Sequence, residues 1–100
     1  MLENAIYAIL SPEGYASILW KDSKRAPEAA SEMKLTAEDM LSLGIVEKVI
    51  AEPDDLSAAN LSEVTEVLAS ELALFIGGNL DFDGDELCEE RYKRYRKYGV

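Results

Sequence analysis

Residues 5–10 read "AIYAIL" and residues 45–50 read "IVEKVI". The first run is short, apolar and closed by the turn signal Ser11-Pro12. The second follows Gly44 and is rich in β-branched residues. Both patterns predict buried strands. Helical patterns lie between them, and strands separated by helices imply a parallel βαβ arrangement. A parallel pair needs cover on its edges and on both faces. The expected fold class is therefore α/β, with two short parallel strands, about five helices and further strands belonging to a larger sheet.

The helices announce themselves through their ends. Ser11 followed by Pro12 predicts an N-cap and first helical residue for "PEGYASILW", ending near Trp20. After the polar "KDSKRA", Pro27 opens "PEAASEM". Thr36 with Asp39 reads as a capping box for "AEDMLSL", which Gly44 should stop. Asn60 and Glu63 read as the start of the longest helix, with Leu61, Val64, Leu68, Leu72 and Phe75 on one face and Gly77-Gly78 as its end. A last helix is expected over residues 85–98, with Cys88, Tyr92 and Tyr95 on one stripe.

Bulk properties exclude several classes. One hundred residues, 48% of them hydrophobic, suit one small ordered domain or a piece of a larger one. The net charge of −10 argues against general binding to nucleic acid or anionic membranes. It is unevenly spread: five bases against 20 acids leave −15 over residues 1–90, while residues 91–100 carry five bases and no acid. A single Cys88 and no histidine offer no internal disulfide and few ligands for zinc. With no signal peptide and no long apolar run, a soluble, cytoplasmic protein is expected.

"NLDFDGDELCEE" (79–90) has oxygen-bearing side chains at the spacing of an EF-hand loop, namely Asn79, Asp81, Asp83, Asp85 and Glu90, with Gly84 at the turn. Against calcium, Glu86 stands where an aliphatic residue normally packs between paired loops, and no second loop exists. Asp83 with Glu86 also fits a capping box, the preferred reading. The terminal "RYKRYRKYGV" mixes bases with aromatics, but Tyr92 and Tyr95 keep helical spacing. That favours packing and a basic helix meeting acidic surface over single-stranded nucleic acid.

"MLENAIYAILSPEGYASILWKD" (1–22), "APEAASEMKLTAEDMLSLGIVEKVI" (26–50) and "ERYKRYRKYG" (90–99) together resemble the bacterial acetyl-CoA carboxylase carboxyltransferase alpha subunit. Residues 29–50 also resemble the wider crotonase superfamily, where a helix, a glycine turn and a strand recur. The resemblance implies a partial crotonase-like fold. It also implies a parent enzyme that transfers carboxylate from carboxybiotin to acetyl-CoA, making malonyl-CoA for fatty-acid synthesis. Expected partners are the carboxyltransferase beta subunit, which carries a structural zinc, and the biotin carboxyl carrier protein.

The likeness begins inside the family's fold, so residues 1–100 are expected to be one C-terminal fragment, with 60–100 a helical extension. The family's glycine-rich oxyanion segment would precede "MLENAIY". Tyr15 replaces a small residue of the family, and "DDLSAAN" (54–60) replaces its Gly-Gly-Ala-His stretch. No catalytic residue is expected within the fragment. Glu13, Gly14 and Tyr15 are the candidate substrate-binding residues on the biotin side, because a helix N-terminus favours negative charge and glycine permits close backbone approach. Glu13 also fits a simple dipole-stabilising role. Alone, the fragment is expected to be inactive and to self-associate. Alternatives are a non-catalytic interaction module and a crotonase-like relative of other activity.

Overall fold

The computed structural model describes residues 1–99. Five α-helices and one 3-10 turn follow in order: α1 (Pro12–Trp20), the turn Ser23–Arg25, α2 (Ala26–Glu32), α3 (Ala37–Ser42), α4 (Leu61–Asn79) and α5 (Gly84–Tyr95). The chain divides into two compact units, Met1–Glu52 and Pro53–Val100.

The α/β fold with two parallel strands is not what forms. Among the described residues there is no strand, only isolated bridges joining Leu2 to Ile50 in parallel and Ile6 to Thr36 in antiparallel sense. A ladder grows only where successive residues of two extended segments lie side by side. Here each bridge is cut off at once. After Leu2 the chain turns, with the Ala5 N–H bonded to the Leu2 carbonyl at 3.1 Å. Thr36, the partner of Ile6, is the N-cap of α3, so its chain leaves as a helix. In the second expected strand, the Ile45 and Val46 N–H groups both donate to the Met40 carbonyl, at 2.9 and 3.3 Å, closing the end of α3. The partial crotonase-like fold is corrected with the strands that defined it.

In the first unit, α1 begins as its residues require. The Ser11 hydroxyl accepts the Gly14 N–H at 3.1 Å, and Pro12 occupies the first turn. The helix stops at Lys21, whose φ of 58° is left-handed. It packs against the 3-10 turn and α2. Ala16 of α1 and Ala29 of α2 are fully buried, and side chains this small let backbones approach closely. Ala37, Met40 and Ile50 complete the buried set of this unit. Residues 1–4 and 50–52 are tied together: Ile50 N–H donates to the Met1 carbonyl at 2.8 Å, and Glu3 N–H to the Ile50 carbonyl at 2.9 Å.

In the second unit, α4 runs through Gly77 and Gly78 to Asn79, so the glycine pair does not end it. Neither glycine has a positive φ, unlike Gly44 at 69°. Asn60 precedes α4 without capping it through its side chain. Its amide instead accepts the Ser57 N–H at 2.8 Å and donates to Asp55. Val64 is the buried residue of α4. Among the described residues no helix is long and apolar enough to cross a membrane.

Candidate functional site

Glu13, Gly14 and Tyr15 form the first turn of α1, and the structure gives them unequal roles. The Gly14 N–H is already bonded to Ser11 Oγ, the Tyr15 N–H donates to the Ser11 carbonyl at 2.9 Å, and Pro12 has no N–H. Glu13 therefore holds the one amide of this turn with no bond among the described residues. The helix start is a weaker anion cradle than its sequence promises. Gly14 is not required by backbone strain: an added Cβ would sit 3.4 Å from Ser11 Oγ and 3.5 Å from Leu10 Cδ1, ordinary contact. The Glu13 side chain is exposed, and its carbonyl accepts the Ser17 hydroxyl at 2.8 Å.

Tyr15 is the member that faces a cavity. It lines an open cleft of about 470 Å³ with residues 7–10, Met33, Lys34, Leu35 and Met40. Antiparallel contact closes one wall, since Tyr7 N–H donates to the Leu35 carbonyl at 3.0 Å. On its other side Tyr15 meets Trp20 edge-on, ring centroids 5.8 Å apart. The Arg25 guanidinium lies 4.0 Å above the Trp20 ring and forks onto Glu28 at 2.6 and 2.8 Å. That fork raises the Arg25 pKa and lowers that of Glu28, each chiefly through their shared hydrogen bond. Tyr15 is thereby held between an aromatic–cation stack and an apolar cleft.

Sequence reasoning missed most of the cleft. Leu10 falls in an expected strand and Met33 and Met40 in helical patterns, with nothing in the sequence to mark them as walls of one cleft. Lys34 adopts a left-handed φ of 53°, a conformation that usually falls to glycine or asparagine after a helix. No local signal in "SEMKLT" marks it. Such strain in a cleft wall is a common feature of functional sites.

The cleft suits a bicyclic or chain-like apolar ligand with few polar atoms, and the tyrosine hydroxyls of residues 7 and 15 supply hydrogen-bonding capacity. It does not suit a metal. Among the described residues no group of three or more His, Cys, Asp or Glu side chains is placed to hold one. In the 79–90 segment, Asn79 belongs to α4 and its amide donates to the Phe75 carbonyl at 2.7 Å, while Asp83 and Glu86 cap α5 reciprocally.

A family model described as acetyl co-enzyme A carboxylase carboxyltransferase-like matches residues 1–99. The chain is 52% identical over 98 residues to the acetyl-coenzyme A carboxylase carboxyl transferase subunit alpha of Streptococcus pneumoniae, covering 98% of this chain and 37% of that protein. It is 48% identical over 99 residues to the alpha subunit of Clostridium acetobutylicum, covering 99% of this chain and 36% of the relative. A Clostridium tetani protein named for subunits beta/alpha is 43% identical over 99 residues, 99% of this chain and 17% of its own length. The chain belongs to the acetyl co-enzyme A carboxylase carboxyltransferase-like family. It spans little more than a third of the two alpha subunits it matches.

Proposed function

We propose that this chain is the C-terminal portion of a cytoplasmic carboxyltransferase alpha subunit, with residues 60–100 its helical extension. The parent enzyme transfers carboxylate from carboxybiotin, presented on a carrier protein, to acetyl-CoA. The product is malonyl-CoA for fatty-acid synthesis. Partnership with a beta subunit is supported by the Clostridium tetani relative, whose name joins beta and alpha in one protein. Zinc, if used, belongs on that partner, because this chain has no histidine and one cysteine.

Within this portion, the cleft beside Tyr15 receives the biotin ring, and Glu13 and Gly14 precede Tyr15 in the first turn of α1. The observation that carries this reading is the convergence of Tyr15 with an apolar cleft next to a helix start. Apolar walls exclude water from the ring, tyrosine hydroxyls can bond the ureido group, and the Glu13 amide with the helix dipole favours negative charge nearby. Carboxyl transfer also needs donors aimed at developing oxyanions. One unbonded amide is meagre provision, so the chain by itself is catalytically silent.

The chain also self-associates. Ile9 is 99% exposed and Leu74 70%, in keeping with apolar surface that isolated monomers avoid.

The test is an NMR titration with biocytin, followed by addition of a beta subunit. Saturable shifts confined to residues 7–10, Tyr15 and 33–35, and co-elution with the beta subunit, are expected. Absence of both would remove the proposal.

A further inference from the structure

The cleft beside Tyr15 has one charged residue in its lining, Lys34, and no acid. In a chain of net charge −10 that is not the general pattern. Glu89 and Glu90 line a second groove, and Glu3 and Glu38 a third.

Backbone geometry sets Lys34 in this wall. Met33 is the C-cap of α2 and Thr36 the N-cap of α3, so Lys34 and Leu35 alone join the two caps. The left-handed φ of 53° at Lys34 turns the chain after α2. The next residue, Leu35, accepts the Tyr7 N–H through its carbonyl at 3.0 Å. Lys34 is thus held between a helix end and a backbone bond to the opposite wall. It makes no ion pair among the described residues. Asp39 feels its charge only slightly, and that carboxylate already accepts the Thr36 hydroxyl at 2.8 Å and the Thr36 N–H at 3.3 Å. Lys21 takes the same left-handed conformation after α1, at φ 58°, but does not line the cleft.

We infer that Lys34 makes this cleft discriminate by charge, taking the carboxylated, anionic biotin ring in preference to the uncharged ring. This rests on the reading of the cleft as a biotin site and names the residue that separates the two forms. Apolar contact with the walls is common to both forms and cannot tell them apart. A cation in the wall can, because only one form carries a carboxylate. It holds the form that arrives loaded and lets go of the form that leaves empty. Lys34 is exposed, so the preference is modest: about threefold at low ionic strength, shrinking as salt is raised.

The test is an NMR titration of the full chain with two probes in mildly alkaline buffer, where ring carbamates persist. One is biotin methyl ester, which is uncharged; the other is the same ester carboxylated on a ring nitrogen. The parent should bind the carboxylated probe about threefold more tightly. Lys34→Asn removes the charge with a residue that tolerates the left-handed backbone, so the fold should persist while the two affinities converge. Lys34→Arg should keep the preference. Lys21→Asn, which takes the same charge from outside the cleft, should keep it too. Equal affinities in the parent, a preference that survives Lys34→Asn, or one lost equally in Lys21→Asn would overturn the role of Lys34 and leave the biotin site standing. Binding of neither probe would overturn both.

Discussion

Asp83 and Glu86 hold each other's backbone. The Asp83 carboxylate accepts the Glu86 N–H at 2.9 Å, and the Glu86 carboxylate accepts the Asp83 N–H at 3.0 Å. Asp83, one of the acids that mimic a calcium loop, is thus engaged at the start of α5, leaving less of its oxygen capacity for an ion. Asp83→Ala should destabilise α5 by about 1 kcal/mol, read as lost helical signal on heating. Calcium titration of the native chain should give no saturable heat below about a millimolar. A one-to-one heat abolished by Asp83→Ala would reverse this assignment.

The glycines of this chain should respond in opposite directions. Gly44 ends α3 at a φ of 69°, so Gly44→Ala should cost about 1 kcal/mol although space is open. Gly77 and Gly78 lie within α4 with nothing within 4 Å of an added Cβ. Gly77→Ala should therefore stabilise by up to about 1 kcal/mol. Thermal midpoints of the two variants, moving apart in sign, are the check.

Acid should act on the first unit through two carboxyls. The Asp39 carboxyl is held below its ordinary value chiefly by the Thr36 hydroxyl hydrogen bond, and that of Glu28 by the Arg25 fork. A depressed folded pKa contributes stability that is present above the unfolded value, about 4 for these groups, and is lost as pH falls through the folded value. Stability should drop below about pH 4. Thr36→Val should shrink that drop; an unchanged acid profile would place the sensitivity elsewhere.

Arg25→Lys keeps the charge but loses the two-pronged bond to Glu28 and the flat stacking on Trp20. Trp20 fluorescence should change in emission maximum or yield. A spectrum identical to the parent would show that the stack contributes no order around Tyr15.

Gly14→Val separates folding from function. The added Cβ meets Ser11 Oγ at 3.4 Å and Leu10 Cδ1 at 3.5 Å, ordinary contact, so the thermal midpoint should move little. The branched side chain narrows the approach to the Glu13 amide, so biocytin-induced shifts, and turnover in a full-length alpha subunit, should fall. Normal turnover would remove Gly14 from the site.

The helix starts at Ser11, Thr36 and Asp83 were legible because a cap is local chemistry: a side chain reaches an amide three residues along. The family, too, is written in contiguous residues. Other features depended on partners distant in the chain. "AIYAIL" and "IVEKVI" carry strand-forming side chains, yet a strand exists only with a ladder, and their neighbours are a helix cap and a helix end. Asn60 has capping chemistry, but Ser57 and Asp55 claim its amide. Gly77 and Gly78 have a stop signal's composition, yet the helical backbone continues through them. Tyr15 is placed in the sequence by its helix, but the cleft beside it exists only where residues 7–10 meet residues 33–40. Periodicity and capping act within a few residues, whereas backbone pairing and cavity walls require segments whose meeting no local pattern encodes.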